Sequence, residues 1–137
     1  MKKSLILIFL VFAGFLSGCY AQGQSKGDGK TGTVTPKKIT AEQAKAIMDK
    51  GEPYTLVDVR TPGEFNDGHI KGALLIPVDE IGSRAEKELP DKNAVILVYC
   101  RSGVRAGNAA QTLAGMGYTN INNFGGIISW PYGTVKN

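Results

Sequence analysis

Short apolar runs alternate with amphipathic stretches along most of this chain. The runs at 54–59 and 94–99 are short, rich in β-branched and aromatic residues and bounded by turn-forming or polar residues, as expected of strands. The run at 94–99 is apolar on both faces, which is typical of a central strand in a parallel sheet. Further strands are predicted at 73–76 and 118–124. Strands alternating with helices at this spacing predict an α/β fold with a doubly wound, mostly parallel sheet flanked by helices.

Helix start and stop signals separate these strands. Thr40 is followed three positions later by Gln43, which is the spacing of a capping box, and Gly51 supplies the left-handed stop of a helix near 41–50. The segment TPGE at 61–64 repeats the box with proline at the first helical position and starts a brief helix. Further helices are predicted at 79–88, 103–116 and 125–130.

The N-terminus has the pattern of an export signal. Residues 1–18 carry two lysines, then an apolar segment, then small residues. The apolar segment is shorter than the roughly 20 residues that a membrane-spanning helix needs. It ends in Leu16-Ser17-Gly18-Cys19, which resembles the lipobox of bacterial lipoproteins, where the cysteine is acylated after cleavage just before it. We therefore expect a lipoprotein signal peptide at 1–18 and lipidation of Cys19; the alternative is an ordinary signal with a cysteine nearby by chance.

Lipidation of Cys19 predicts a protein held at a membrane outside the cytoplasm, because several acyl chains on one residue give stable anchoring. Tyr20 stands where an aspartate would retain a lipoprotein at the inner membrane, so a Gram-negative host would place this chain on the outer membrane, facing the periplasm. Residues 19–38 are rich in Gly, Lys, Thr and Gln and predict a flexible tether with a reach of about 25 Å. The folded domain is then expected at 39–132, followed by a tail at 133–137.

Charge and composition exclude several classes of function. The formal net charge is +4, and loss of Lys2 and Lys3 with the signal leaves 14 basic against 12 acidic residues, a net charge of +2. No basic stripe with interleaved aromatic residues is present, so nucleic-acid binding is not expected. His69 is the only histidine, and therefore neither a metal site nor any cofactor is predicted.

The strongest candidate for chemistry is the second cysteine. Because Cys19 is expected to carry lipid, Cys100 has no disulfide partner. It ends a predicted central strand and precedes a helix, whose unpaired N–H groups and dipole favour an anion. Arg101 and Arg105, two of the four arginines in the chain, add positive charge, and such surroundings favour a thiolate. We predict a nucleophile at Cys100 and a substrate-binding loop formed by Arg101, Ser102, Gly103, Val104 and Arg105.

A purely structural role for Cys100 is the simplest alternative. Free cysteines are among the most buried residues and usually act as small hydrophobes. The sequence Arg-Ser-Gly-Val-Arg that follows does not suit that role, because it offers charge and a flexible backbone turn. The nucleophile hypothesis requires a sulfur that is accessible to solvent.

The segment CRSGVRA at 100–106 resembles the active-site loop of rhodanese domains, the single-domain sulfurtransferases. The similarity covers about 39–132 and includes Asp58-Val59-Arg60, Glu64-Phe65, Gly68-His69-Ile70, Gly72-Ala73, Ile76-Pro77, Gly125-Gly126 and Trp130. The resemblance implies a rhodanese-like fold and a persulfide mechanism. Cys100 would attack the outer sulfur of a small anionic donor such as thiosulfate, sulfite would leave, and the sulfur would pass to a thiol, cyanide or protein acceptor. The resemblance also places His69 in a structural turn.

Two other functions remain as alternatives. Cysteine phosphatases share the thiolate, the N–H cradle and the arginine, but they place arginine six positions after the cysteine. Here that position is Ala106, and Arg105 comes at five. The shorter loop suits a single sulfur better than a tetrahedral phosphoryl group. The other alternative is a non-catalytic rhodanese module that binds a partner or carries sulfur, although the complete loop favours catalysis.

Asp58 and Arg60 follow a predicted strand and could face the site from beside it. The favoured interpretation is a hydrogen-bonded corner, with pairing of Arg60 and Glu64 as one form of it. The alternative is a role next to the reacting sulfur.

Overall fold

The computed structural model describes residues 32–137. The predicted signal peptide, the predicted lipidation site Cys19 and most of the predicted tether therefore lie outside the described residues. The described part contains a five-stranded sheet in the order β1-β5-β4-β2-β3, and every strand pair is parallel. The strands are β1 Lys37–Lys38, β2 Tyr54–Asp58, β3 Leu74–Leu75, β4 Val95–Cys100 and β5 Ile121–Gly126.

Four α-helices connect the strands: α1 Ala41–Asp49, α2 Pro62–Asp67, α3 Ile81–Glu88 and α4 Val104–Gly115. The capping boxes predicted at the starts of α1 and α2 both form. The Thr40 hydroxyl accepts from the N–H of Gln43, and the Gln43 side chain accepts from the N–H of Thr40. These reciprocal bonds satisfy N–H groups that the first turn of a helix would otherwise leave unpaired.

Strand β4 shows why the sheet is covered on both faces. Val98 and Cys100 belong to the core cluster that contains residues of α3 and α4. Leu97 and Tyr99, which alternate with them along the strand, belong to the opposite cluster together with Ala44 of α1. The prediction of a doubly wound parallel sheet flanked by helices is thus confirmed, and Cys100 lies on the α3 and α4 face.

Several element boundaries differ from the prediction. The last strand is displaced toward the C-terminus, so Gly125 and Gly126 end β5 instead of opening a helix. Gly126 pairs with Cys100 across an irregularity in the β4–β5 ladder, and that pairing extends the strand. Only a short 3-10 turn follows, at Ile127–Ser129. The predicted helix at 79–88 begins with a 3-10 turn, Val78–Glu80, before α3.

The folded part of the chain also extends beyond both ends of the predicted domain. Lys37 and Lys38, assigned above to the tether, form β1 and pair with β5. The predicted tail is bonded as well, because Val135 and His69 exchange two backbone hydrogen bonds of 2.9 and 2.8 Å. Among residues 32–137, no helix is long and apolar enough to cross a bilayer.

Candidate active site

Cys100 is the last residue of β4, and its sulfur is cupped by the loop that follows. The N–H group of Gly103 donates to Cys100 Sγ at 3.0 Å. Gly103 has a φ of +106°, which strongly favours glycine, and it stands immediately before α4. The loop therefore points a backbone N–H at the sulfur. This is the kind of donor expected from the unpaired N–H groups at the start of α4.

Glycine is required on the other side of this loop as well. A Cβ at Gly126 would overlap the carbonyl carbon and oxygen of Arg101. The same carbonyl accepts the N–H of Ile128 at 3.3 Å. The end of β5 thus packs directly against the backbone of the loop, which explains in physical terms why residue 126 is a glycine.

The sulfur itself is buried. Cys100 is 1% exposed and packs in the core cluster below α4. It lines neither of the two cavities that border the loop. This burial runs against the expectation of an open thiol, and any reaction at Cys100 requires the loop to make room for a donor.

Arg105 has a partner that the sequence analysis did not assign to it. Its guanidinium makes two hydrogen bonds to the Glu64 carboxylate, of 2.7 and 2.8 Å, across 41 positions of sequence. Glu64 is also the capping residue of α2 and accepts from the N–H and hydroxyl of Thr61. Arg105, followed by the Thr61 bonds, holds the pKa of Glu64 at about 2. Much of the charge of Arg105 is therefore already neutralised, and its role in substrate binding stays a prediction.

Asp58 and Arg60 form a buried ion pair next to the loop. The side chains are 0% and 6% exposed, and Arg60 Nη2 lies 2.6 Å from Asp58 Oδ2. Arg60 also donates to the carbonyl of Gly68 at 2.8 Å. This is the hydrogen-bonded corner favoured above. The suggestion that Arg60 pairs with Glu64 is wrong, because Glu64 faces Arg105 instead.

The neighbouring Tyr99 completes this corner. Its hydroxyl accepts the N–H of Ile70 at 3.0 Å, and its ring lies below the Arg60 guanidinium. Burial, together with the hydrogen bond to Asp58, raises the pKa of Tyr99 above its ordinary value. The phenol therefore stays neutral and holds the residue before Cys100 in place.

Arg101 is the exposed arginine of the loop. No carboxylate within residues 32–137 forms an ion pair with it. It borders an open cavity of about 330 Å³ whose walls include Arg60, Glu64, Ile128 and Thr134. We term this space the Arg101 cavity. Arg60 and Glu64 on its wall are already paired with Asp58 and Arg105, and Asp67 also lines it, so Arg101 is the group that would draw an anionic donor to the loop.

His69 has a structural environment, as the resemblance implies. It is 6% exposed, stacks on Phe65 with ring centroids 3.7 Å apart, and its Nδ1 lies 3.0 Å from the Phe65 carbonyl. No group of three or more His, Cys, Asp or Glu side chains within residues 32–137 is arranged to hold a metal ion.

Comparisons with known proteins agree with this geometry. The family model described as a rhodanese-like domain matches residues 40–131. The chain is 41% identical over 71 residues to the thiosulfate sulfurtransferase PspE of Escherichia coli, covering 52% of this chain and 68% of that protein. It is 38% identical over 94 residues to a sulfurtransferase of Allochromatium vinosum, covering 68% of this chain and 86% of that one.

The fold has a matching solved structure. A rhodanese with anions from E. coli superimposes with a TM-score of 0.59 at 36% sequence identity, covering 62% of this chain and 100% of that structure.

Proposed function

Because this chain belongs to the rhodanese-like domain family, we propose that it is a sulfurtransferase of the thiosulfate type, with Cys100 as nucleophile and sulfur carrier. The observation that carries the proposal is the hydrogen bond from the Gly103 N–H to Cys100 Sγ. A backbone donor fixed beside the sulfur stabilises negative charge there, whether on the thiolate or on a persulfide. Two of the similar proteins are themselves named sulfurtransferases.

The reaction has two halves. Cys100 thiolate attacks the outer sulfur of thiosulfate, the S–S bond of the donor breaks, and sulfite leaves with the electron pair. The persulfide then gives its outer sulfur to a thiol, cyanide or protein acceptor. In this scheme Arg101 attracts the donor, because no carboxylate among residues 32–137 forms an ion pair with it, while Arg105 is held by Glu64 and positions the start of α4.

The test is intact-mass measurement after incubation with thiosulfate. The wild-type chain should gain one sulfur atom, and Cys100→Ser should gain none. Polysulfide and a persulfidated protein serve as additional donors. If no sulfane donor adds sulfur to Cys100, the mechanism is excluded.

The burial of Cys100 favours one rival, a rhodanese module that binds a partner without turnover. The two functions differ in the second half-reaction. A catalyst releases its sulfur to cyanide over many cycles, whereas a non-catalytic module keeps it or never acquires it. Counting thiocyanate formed per chain separates them, and phosphate release from a phosphate monoester tests the phosphatase alternative in the same panel.

We further propose that Cys19 anchors the protein by lipid outside the cytoplasm. Support comes from the lipobox-like Leu16-Ser17-Gly18-Cys19. In a bacterial host, Cys19→Ala should move the protein from the membrane fraction to the aqueous fraction and abolish incorporation of labelled fatty acid. Cys100→Ser is the matched control and should change neither. Membrane retention of Cys19→Ala would refute the anchor.

A further inference from the structure

A second cavity borders the catalytic loop and shares no residue with the Arg101 cavity. It has a volume of about 460 Å³, within the range of small-molecule sites. Ser102, Gly103 and Val104 of the loop form one wall, and Asn123 of β5 lies in another. We term it the Asn123 cavity. In the proposed reaction the donor approaches on the other side of the loop, at Arg101.

The feature that points to a ligand is the side-chain amide of Asn123. The residue is 6% exposed. Its Oδ1 accepts the N–H of Gly125 at 2.9 Å, which fixes the orientation of the amide. Nδ2 has no acceptor among residues 32–137, yet it is not sealed away from solvent. A nearly buried N–H donor without a partner is costly unless water or a ligand accepts from it.

Gly107 of α4 keeps the way to this amide open. A Cβ at Gly107 would lie 3.7 Å from Asn123 Nδ2, which is ordinary contact distance and would cover the donor. Glycine within a helix is less stable than alanine. The missing methyl group therefore lowers the stability of α4 and leaves room beside the amide.

One charged residue, Lys38, lines the Asn123 cavity. It is in register with Asn123 across the β1–β5 pair. Ser102 adds a hydroxyl group, and among residues 32–137 neither Asp nor Glu lines the space. Ile39 and Phe124 supply apolar surface. An amide N–H, an ammonium and a hydroxyl above an apolar floor suit a small molecule that bears a carboxylate.

The Asn123 cavity is also close to the reacting sulfur. Gly103, whose N–H touches Cys100 Sγ, forms part of its wall. We propose that this cavity binds the sulfur acceptor, and that the acceptor is a small thiol carrying a carboxylate. The proposal rests on the persulfide function proposed above, and it names the class of acceptor that the function left open.

The transfer step balances with no further reactant. The acceptor thiol loses its proton to solvent, and its thiolate attacks the outer sulfur of the Cys100 persulfide. A new S–S bond forms on the acceptor, the bond between the two sulfurs of the persulfide breaks, and Cys100 leaves as the thiolate next to the Gly103 N–H. The acceptor departs as a persulfide, and Cys100 is ready for another donor.

The first experiment follows decay of the Cys100 persulfide in the full-length chain after loading with thiosulfate. The acceptors are 3-mercaptopropionate, which has a carboxylate, and 2-mercaptoethanol, which has none. We expect the rate of persulfide decay to saturate with acceptor concentration only for 3-mercaptopropionate. Gly107→Ala should reduce its second-order rate constant by about tenfold, the scale of a lost charged hydrogen bond, and should leave 2-mercaptoethanol unchanged.

Two adjacent lysines provide the matched control. Lys38→Gln should weaken the use of 3-mercaptopropionate by about two- to fivefold, as for a partly exposed ion pair. Lys37→Gln removes the same charge from the preceding residue of β1. Lys37 does not line the cavity, so this substitution should have no effect. Equal effects of the two substitutions would show a general charge effect and overturn the proposal.

A binding measurement separates this proposal from the proposed function. The probe is 3-(methylthio)propionate, which cannot accept sulfur, and the readout is the NMR shift of the Asn123 side-chain amide in the unloaded chain. A shift that Gly107→Ala abolishes supports the site. Loading of Cys100 without a shift or saturation overturns the site alone. Failure of loading overturns the acceptor role together with the proposed function, whether or not the probe binds.

Discussion

Two ion pairs flank the loop that follows Cys100, and they differ in depth. Asp58 and Arg60 are 0% and 6% exposed, whereas Glu64 and Arg105 are 30% and 33% exposed. The buried pair joins residues two positions apart at the end of β2. The half-exposed pair joins α2 to the first turn of α4, across 41 positions.

This difference in depth separates two tasks. A buried pair that loses one partner leaves a charge in a medium of low polarity, so it acts as a fixed part of the scaffold. The half-exposed pair is screened by water and salt, and its strength changes with conditions. Asp58 and Arg60 therefore fix the backbone at the end of β2, whereas the pair of Glu64 and Arg105 adjusts the position of α4.

The largest effect is expected from breaking the buried pair. Asp58→Asn leaves the Arg60 guanidinium without its counter-charge and should lower the free energy of unfolding by about 3 kcal/mol or more. Denaturant unfolding at neutral pH measures this. As a control, Asp58→Asn combined with Arg60→Met removes both charges and should recover part of the loss. A single variant as stable as the wild type would contradict the scaffold role.

A smaller effect is expected from the half-exposed pair. Glu64→Gln removes the counter-charge of Arg105 but keeps a side chain that can close the capping box, as Gln43 does at the start of α1. We expect a loss of about 1 kcal/mol in the free energy of unfolding after allowance for solvent screening. The measurement is again denaturant unfolding at neutral pH. A loss as large as that of Asp58→Asn would erase the distinction between the two pairs.

The same pair predicts a dependence on pH. The pKa of Glu64 is held at about 2 in the folded chain, below its ordinary value of 4.5. Its stabilisation is therefore complete above about pH 4.5 and is lost as the pH falls toward 2. The difference in unfolding free energy between wild type and Glu64→Gln should shrink across that window. A constant difference from pH 6 to pH 2.5 would show that the pair does not lower the pKa of Glu64.

The smallest effect is expected at an ion pair far from the loop. Glu86 and Lys92 lie 2.9 Å apart, with side chains 68% and 41% exposed. Glu86→Gln should leave both the stability and the rate of Cys100 persulfide formation unchanged within error. This variant is the surface reference for Glu64→Gln, and a measurable loss of activity here would weaken any conclusion drawn from the pairs at the loop.

Local sequence signals were sufficient for most of the fold. The capping boxes at Thr40 and Thr61 depend on residues three positions apart, and both form as predicted. The apolar run that becomes β4 was also identified. The errors fell where a distant partner decides the structure: Lys37 and Lys38 are strand only because β5 lies beside them, and Gly126 is strand because it pairs with Cys100.

The candidate site was predictable in its residues but not in its contacts. The strand end and the Arg-Ser-Gly-Val-Arg segment pointed to Cys100, and the structure supplies the expected N–H donor at Gly103. Nothing local indicates that Arg105 pairs with Glu64, or that Asn123 Nδ2 has no acceptor among residues 32–137. The burial of Cys100 depends likewise on distant residues, since α3 and α4 pack over it in the core.

The sequence by itself singled out Cys100 as the candidate nucleophile and determined most of the helices and strands and the parallel α/β architecture. These features follow from side-chain chemistry, from hydrophobic periodicity and from hydrogen bonds between near neighbours. The tertiary structure alone decided which arginine of the loop has no carboxylate partner among residues 32–137, how deeply the sulfur is buried, and where a second small molecule could reach the loop. Those properties depend on groups distant in sequence meeting in space, and electrostatic and packing energies are set by such distances.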